Sequence, residues 1–461
     1  MIPLIKGQRK SKYDYRDNLP VNMTAVVSQV EGDTGYLLAH DGLKEFSNTR
    51  GKARGGYYNE RLNQHFRVSG IWLETINEDG TTNEIGVIEG DAPCEFAESF
   101  RTQAILSNGK VWLYDGYTLE ALDLDFVPID IEWFRSIYVY TDGENLYHSQ
   151  LIDETSVPIL AYTSSEFATD PIKGLLRTDS NEIVAFNRYS TEYFYFNANA
   201  PTGGSVLQVI QGKSGRIGIV GTQCKCFLDG SIFILGGRKD ESPSIHITNG
   251  VQTNTIATRE IDKLISKYTE SELESVYMES RTVDRDQFVI IHLPNETLLY
   301  NHTIGKQQGA SVAWSILKTG DDEVWRGKYG IFDPRISKWV YGDIKDSKLA
   351  TLDSESFAQY DEAQELLFYT PIIPAKRVSI NQIELDTISG FTDNTESCFM
   401  AMSGDAVGWG QEYPVHISKR NNYDVRYIIR RLGYIVSSFS MRFRFKSKNK
   451  MAFSGLTIND R

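Results

Sequence analysis

The residues best suited to proton transfer or metal ligation in this chain are seven histidines: His40, His65, His148, His246, His292, His302 and His416. None stands in a spacing that does either. No His-Glu-x-x-His pair is present, the arrangement that puts two imidazoles one helical turn apart beside a carboxylate base. The series Gly212-x-x-Gly215-x-x-Gly218-x-x-Gly221 has the glycine content of a phosphate cradle, but no lysine-serine pair closes it and no helix pattern follows, so it matches neither a phosphate loop nor a dinucleotide fingerprint. Its glycines read instead as places where strands approach closely. There is no Gly-x-Ser-x-Gly elbow to expose a nucleophile. Acid pairs such as Asp123/Asp125 and Asp284/Asp286 have the residue type that glycoside hydrolysis requires, yet with 61 acids in the chain such pairs arise by chance. The expectation is a chain with no catalytic, cofactor or metal site, and a role other than an enzyme's.

Charge is the more informative chemistry. Residues 419–450 hold ten Lys or Arg and one acid, Asp424, a net +9 in a chain whose net charge is −13, so the remainder carries −22. A surface that acidic repels phosphate over most of its area. Within the basic window, Ser440-Met-Arg-Phe-Arg-Phe-Lys446 alternates, and a strand puts Arg442, Arg444 and Lys446 on one face and Met441, Phe443 and Phe445 on the other. The face is either a solvated cover over a packed one or a docking surface for an acidic partner or DNA. Arg426, Arg430, Arg431, Arg442, Arg444 and Lys446 are the candidate docking residues, with the basic arm from Lys6 to Arg16 as a second contact.

The elements that must position these residues announce themselves by repetition. Seven times a short apolar strand, a tight polar turn and an aromatic-bearing strand recur, as in Ala104-Ile-Leu-Ser-Asn-Gly-Lys-Val-Trp-Leu-Tyr114. Asn108-Gly109, Asp142-Gly143 and Asp229-Gly230 are dipeptides that reach the positive φ a hairpin needs. With Gly70, Asn108, Asp142, Arg188, Asp229, Pro294 and Arg335 as turn markers, the intervals are 38, 34, 46, 41, 65 and 41 residues. A period near 40 in an all-β pattern predicts a β-propeller of six or seven blades, in which stacked sheets close on themselves and leave only short edges. The competing arrangement is one or two sandwiches with irregular turns. The turns lack the Ser-x-Asp-x-Gly-x-Thr-Trp repeat of sialidase-type propellers. The 65-residue interval holds a helical stretch over 259–278, with a capping box at Thr269-Glu-Ser-Glu272 that predicts a break near Tyr268 and a second short helix.

The predicted organisation is an arm at 1–24, a propeller with its helical insertion at 25–370, and a basic antiparallel β-sandwich at 371–461. No run reaches the ~18 apolar residues of a membrane span. The first ten residues lack a signal peptide's apolar region, so folding from the cytoplasm is expected. Cys94, Cys224, Cys226 and Cys398 are too few and scattered for a disulfide framework, and Cys224-x-Cys226 reads as a buried pair of reduced thiols. Twelve per cent of residues are aromatic, a richness in keeping with extensive protein contact.

Tyr15-Arg-Asp-Asn-Leu-Pro-Val-Asn-Met23 resembles the N-terminal signature of the packaged-DNA stabilisation proteins of short-tailed phages, the head-completion or tail-hub proteins of the Salmonella-phage type. Further similarities follow in the same order: Gly221-Thr-Gln-Cys-Lys225, Ile261-Asp-Lys-Leu-Ile-Ser-Lys-Tyr-Thr269, Ile290-Ile-His-Leu-Pro294, Leu317-Lys-Thr-Gly320, Tyr360-Asp-Glu-Ala-Gln364 with Thr370-Pro371, and Ile429-Arg-Arg-Leu432. The resemblance implies a structural protein of the virion tail, assembled in the host cytoplasm. It implies a homo-oligomer, a sixfold ring below the portal and its adaptor ring, that receives the tail needle and tailspike proteins and lets packaged double-stranded DNA pass without sequence-specific binding. No cofactor is implied. Two alternatives stay open: a tail-associated carbohydrate-active propeller, a depolymerase, which would need a concave, aromatic-lined pocket with converging acids, and a scaffold propeller for protein assembly.

Overall fold

The computed structural model describes residues 2–3, 18–26, 35–200, 204–250, 252–322, 324–375, 377–387, 397–417, 421 and 427–459. Seven antiparallel sheets form the blades of a propeller. Blade one is Ala53–Asn59, Gln64–Ser69, Trp72–Ile76 and Thr82–Val87; blade two runs from Glu95–Glu98 to Leu119–Leu122, blade three from Asp130–Phe134 to Tyr162–Ser164, and blade four from Ile172–Arg177 to Leu207–Gly215. Blade five has a broken innermost strand, Gly218–Ile219 then Lys225–Leu228, and ends at Thr253–Thr255; blade six runs from Tyr277–Val283 to Trp314–Leu317. Blade seven takes three strands from 327–353, and its outermost strand, Gly42–Asn48, comes from before blade one. That borrowed strand closes the wheel, so no blade is left with an unpaired seam.

Each turn marker falls in a different blade. Asn108-Gly109 and Asp229-Gly230 carry φ of 48°/71° and 52°/70°, the left-handed pair of a two-residue hairpin. Five markers join the second and third strands of their blades, whereas Asp229 and Arg335 join the first and second. This phase shift, together with the helices, produces the 65-residue interval. The helices are α1 (Arg259–Ile265) and α2 (Glu270–Glu274), with Thr269 and Glu272 forming the reciprocal capping box; a third, α3 (His302–Gln308), lies in blade six and has no counterpart in the sequence expectation. Two of the four serial glycines are close approaches: a Cβ on Gly218 would meet the Asn187 carbonyl oxygen at 2.1 Å, and one on Gly221 the Glu274 carbonyl oxygen at 2.2 Å, while Gly212 and Gly215 have open space. All four cysteines are free and buried; Cys224 precedes rather than shares the strand of Cys226.

The sandwich sets its boundaries differently from the sequence expectation. One sheet has the order Met23–Val26, Tyr36–Ala39, Ala452–Asn459, Val378–Thr387, Tyr427–Ile435, with Ile2–Pro3 against Ala452–Asn459; the other has Gln364–Tyr369, Ser438–Ser447, Ser397–Ser403, Tyr413–Val415. Met23–Val26 and Tyr36–Ala39 therefore belong to the sandwich and not to the propeller, and 364–369 is a sandwich strand rather than a linker. The propeller is inserted within the sandwich, because a closing strand taken from the N-terminal side leaves the residues before it outside the wheel. Met23 and Leu37 bury their side chains in the sandwich core beside Phe368, Phe443 and Phe453.

Asn22 fastens the two bodies. Its backbone, at φ 51°, bonds the Ile316 carbonyl of blade six; its side-chain oxygen accepts from the Lys318 N–H (2.8 Å) and its amide donates to the Glu365 carbonyl (2.9 Å). The neighbouring Val21 exchanges two backbone bonds with Leu367 (2.8 and 3.1 Å). The physical content of the Leu19-Pro-Val-Asn-Met23 signature is this staple between blade six and the sandwich.

Candidate docking surfaces and the propeller axis

Ser438–Ser447 is one strand, and it alternates buried and outer residues from Met441 to its end. Met441, Phe443 and Phe445 are buried, Phe443 and Phe445 against Phe368 and Phe453, while Arg442, Arg444 and Lys446 lie on the outer face. Their charge is largely answered from within the chain. Glu412 accepts from Arg442 (3.0 Å) and from Arg444 Nε (3.2 Å), and its other oxygen takes a second Arg444 N–H; the Arg444 bonds hold the Glu412 carboxyl below its usual range. Lys446 faces Asp321 of the propeller at 3.5 Å. Glu365, opposite Lys446 on the neighbouring strand, adds a third carboxylate that bears on Arg444, so three cations face three acids, well short of the impression given by the basic window.

The six candidate residues do not form one patch. Arg430 is exposed on Tyr427–Ile435, opposite Gln382, on the outer face of the other sheet. Arg442, Arg444 and Lys446 thus look out from the opposite side of the sandwich. Arg431 follows on the Arg430 strand, with its side chain outside the described residues, as are Arg426 and the arm from Lys6 to Arg16.

The sequence reading missed the aromatic end of the sandwich. Trp409 lies 5.4 Å from the Tyr369 ring and beneath the Arg442 guanidinium. A cavity of about 450 Å³ opens between the 402–413 and 432–439 segments, rimmed by exposed Tyr413, Tyr434 and Val436. Tyr, Trp and Arg in one place are the composition of protein-binding hot spots. These residues come from four separate strands and the loops between them, so no periodicity signalled them.

The propeller axis holds a second unpredicted constellation. Lys225 Nζ donates to Asp130 (2.8 Å) and to the Thr222 carbonyl (2.6 Å), and the same Asp130 oxygen accepts the Leu175 N–H (2.6 Å), tying blades three, four and five together. Burial, then the Asp130 charge, raises Glu95 and Glu132 to about 7. Burial alone would lower Lys225, but Asp130 and Glu95 outweigh it and raise its pKa. Further along, Tyr277 and Tyr329 pack at 4.6 Å with Lys328 over both rings. Beyond this plug a bowl of about 750 Å³ opens, lined by Tyr57, Phe100, Trp133, Trp339, Glu98 and Arg177 among others.

Burial also lowers the pKa of His40, His65, His148, His246, His292 and His302, His65 and His302 to about 4. These imidazoles are core groups. As pH falls below about 6.5 the unfolded chain takes up protons that these groups refuse in the fold, so stability falls. Glu95 and Glu132 act in the opposite sense: their raised pKa values give stability that is complete below about 4.5 and lost as pH rises through about 7. The melting temperature is therefore expected to peak between roughly pH 6 and 7, and a scan from acid to alkaline buffer checks it; a flat profile contradicts it.

Two family matches cover this architecture. The family described as "Bacteriophage P22 Gp10, beta-propeller" matches residues 1–357, and "Bacteriophage P22 Gp10, beta-sandwich" matches 365–460. The chain belongs to the bacteriophage P22 Gp10 family. It is 29% identical to the "Tail hub protein gp10" of Salmonella phage P22 over 477 residues, covering 99% of this chain and 98% of that one. Among solved structures, the Neurospora crassa Pan2 WD40 domain has a TM-score of 0.42 at 10% identity, covering 67% of this chain and 94% of its own. Streptogramin B lyase has 0.43 at 10%, covering 68% and 97%. The family boundary between 357 and 365 falls where the structure leaves blade seven and enters Gln364–Tyr369.

Proposed function

We propose that this protein is a structural tail hub of a phage virion that forms a ring below the portal and adaptor, helps retain packaged DNA, and provides attachment for the tail needle and tailspikes. The observation that carries the reading is the relationship to a tail hub protein along both domains, end to end. The physical chemistry agrees with it. Residues outside 419–450 carry −22, which keeps phosphate from adhering to a wall past which DNA must slide. Lys225, Tyr277 and Tyr329 occupy the propeller axis, so the path for DNA in this reading runs between chains around a ring.

Sedimentation velocity of the chain alone and mixed with a matched portal–adaptor complex tests the hub role, with sixfold incorporation expected and no association refuting it. In the same assay, Arg442→Glu with Arg444→Glu is expected to weaken adaptor binding roughly tenfold at low salt and less as salt rises, since rim charges act mainly on association rate. Unchanged binding would remove the basic stripe from the interface.

The aromatic bowl supports one rival, a carbohydrate-active propeller, because Glu98 lines it beside rings that suit a sugar face, with Glu132 behind it near Tyr57. Incubation with host polysaccharide is expected to release no reducing ends; release would favour the rival.

A further inference from the structure

The two ends of the propeller axis differ chemically. The strand Glu95–Glu98 runs from one to the other: Glu98 lines the aromatic bowl, and Glu95 lines a cavity of about 390 Å³ at the opposite mouth. Pro93, Leu106, Val127, Pro128 and Ile129 supply the apolar wall of that cavity. The wall is held in place. Lys110 reaches Glu89 (2.9 Å), the Asn108 amide donates to the Glu89 carbonyl (3.3 Å), and buried Arg54 spends its guanidinium on the Ala92 carbonyl (2.8 Å) and Ser107 Oγ (2.6 Å). A pocket ordered before its guest arrives loses little conformational entropy on binding.

Glu95 is the carboxyl in this cavity without a cation of its own. Glu274, also in the lining, is paired with Lys173 (2.8 Å). Lys225, whose charge bears on Glu95, is committed to Asp130 (2.8 Å) and the Thr222 carbonyl (2.6 Å), with a side chain only 9% exposed. Among the described residues no group of three metal-ligating side chains includes Glu95. A lone carboxyl at the end of an aliphatic-walled cavity matches a cation on an apolar stem, in which the stem covers Pro93, Val127 and Ile129 and the charge replaces the proton on Glu95.

We propose that this mouth of the axis binds an alkylammonium or alkylguanidinium group, with Glu95 as its counter-ion. A free aliphatic amine carries such a group, and so does a lysine or arginine side chain of a partner chain. Exposed Asp91 and Asp125 stand on the segments that supply the wall, and exposed Glu144 follows Gly143, whose β-carbon would lie 3.7 Å from Ile129. Their negative potential draws cations towards the mouth.

Only the ionised carboxyl takes the guest, so binding is coupled to pH. The charged and titratable groups that face Glu95 are Asp130 and Glu132 from blade three, Lys225 from blade five, and Tyr277 and Tyr329 from blades six and seven, with Arg54 of blade one behind Ala92. Burial pushes both tyrosine hydroxyls up, so they stay neutral, and Lys225 stays charged. With Glu95 at about 7, the guest is expected to bind about tenfold more weakly at pH 6 than at pH 8.

Calorimetric titration of the full chain with 1-aminopentane at pH 8 is expected to show saturable binding, and 1-pentanol, the neutral counterpart with the same stem, none. Glu95→Gln is expected to weaken the amine at least about tenfold and to abolish the pH dependence, the loss of a charge-assisted bond. Val127→Lys, at a position 66% exposed, places a tethered ammonium at the mouth and is expected to exclude the amine while leaving the fold intact, which keeps the test valid should Glu95→Gln not fold. Nα-acetyl-lysine methylamide separates the two sources: binding equal to that of the amine assigns the site to a lysine of a partner, and its exclusion assigns the site to a free amine, each in support of the cation site. Equal binding of pentanol and amine, an affinity unchanged by both substitutions, or no saturation by about 50 mM amine overturns it.

Discussion

Lys225→Met is expected to cost the propeller about 3–5 kcal/mol, the loss seen when one partner of a buried ion pair is removed and the other is stranded. Asp130 is buried and accepts from Lys225 and from the Leu175 N–H, and Glu95 and Glu132 stand near enough for its charge to raise their pKa values. Without the ammonium, Arg177 still acts on Glu132 but Glu95 loses the cation that bears on it, so the fold retains these carboxyls by keeping more protons. The penalty should therefore shrink as pH falls below about 7 and the acids become neutral. Urea unfolding at several pH values measures it. The double variant Lys225→Met/Asp130→Asn should recover much of the loss, since two neutral groups replace an unpaired charge. A penalty below about 1 kcal/mol that does not vary with pH would show that water, rather than Lys225, compensates these acids.

Asn22→Ala is the second large effect, about 3 kcal/mol. It strands the Lys318 N–H and the Glu365 carbonyl, each costing about 1–3 kcal/mol when buried and unsatisfied, and it places a β-carbon without a compensating side-chain bond at φ 51°. Because these bonds join blade six to the sandwich, the variant should also separate the melting of the two bodies. Calorimetry is expected to show two transitions where the native chain shows coupled unfolding. A single transition at the native temperature would mean that the shared apolar core, which includes Met23, Phe368 and Phe453 together with blade-five and blade-six residues, couples the bodies without the staple.

Much of the architecture was legible because hairpin chemistry is local. Asn108-Gly109 and Asp229-Gly230 reach left-handed backbone wherever they stand, and Thr269 and Glu272 cap each other across a single turn. The alternation from Met441 to Lys446 sorted its own faces, since a strand has one period and the apolar half must go inward. The candidate site was less legible. Arg430 and Arg442 are twelve residues apart and read as one basic window, yet a turn carries the chain from one sheet to the other and turns them to opposite sides.

The sequence by itself determined the fold class, the repeat near 40 residues, the two-helix insertion, and the segregation of positive charge towards the C-terminal end, because each depends on spacing within a few dozen residues. The tertiary structure alone decided that Gly42–Asn48 closes blade seven, that Met23–Val26 and Tyr36–Ala39 pair into a sandwich completed by Ala452–Asn459, and that Lys225 meets Asp130 across the axis. Apart from the local pairing of Met23–Val26 with Tyr36–Ala39, these join residues from about one hundred to four hundred positions apart. Any exposed strand edge presents the same row of N–H and C=O groups, so its partner is chosen by which closure buries the most apolar surface and leaves the fewest edges unpaired.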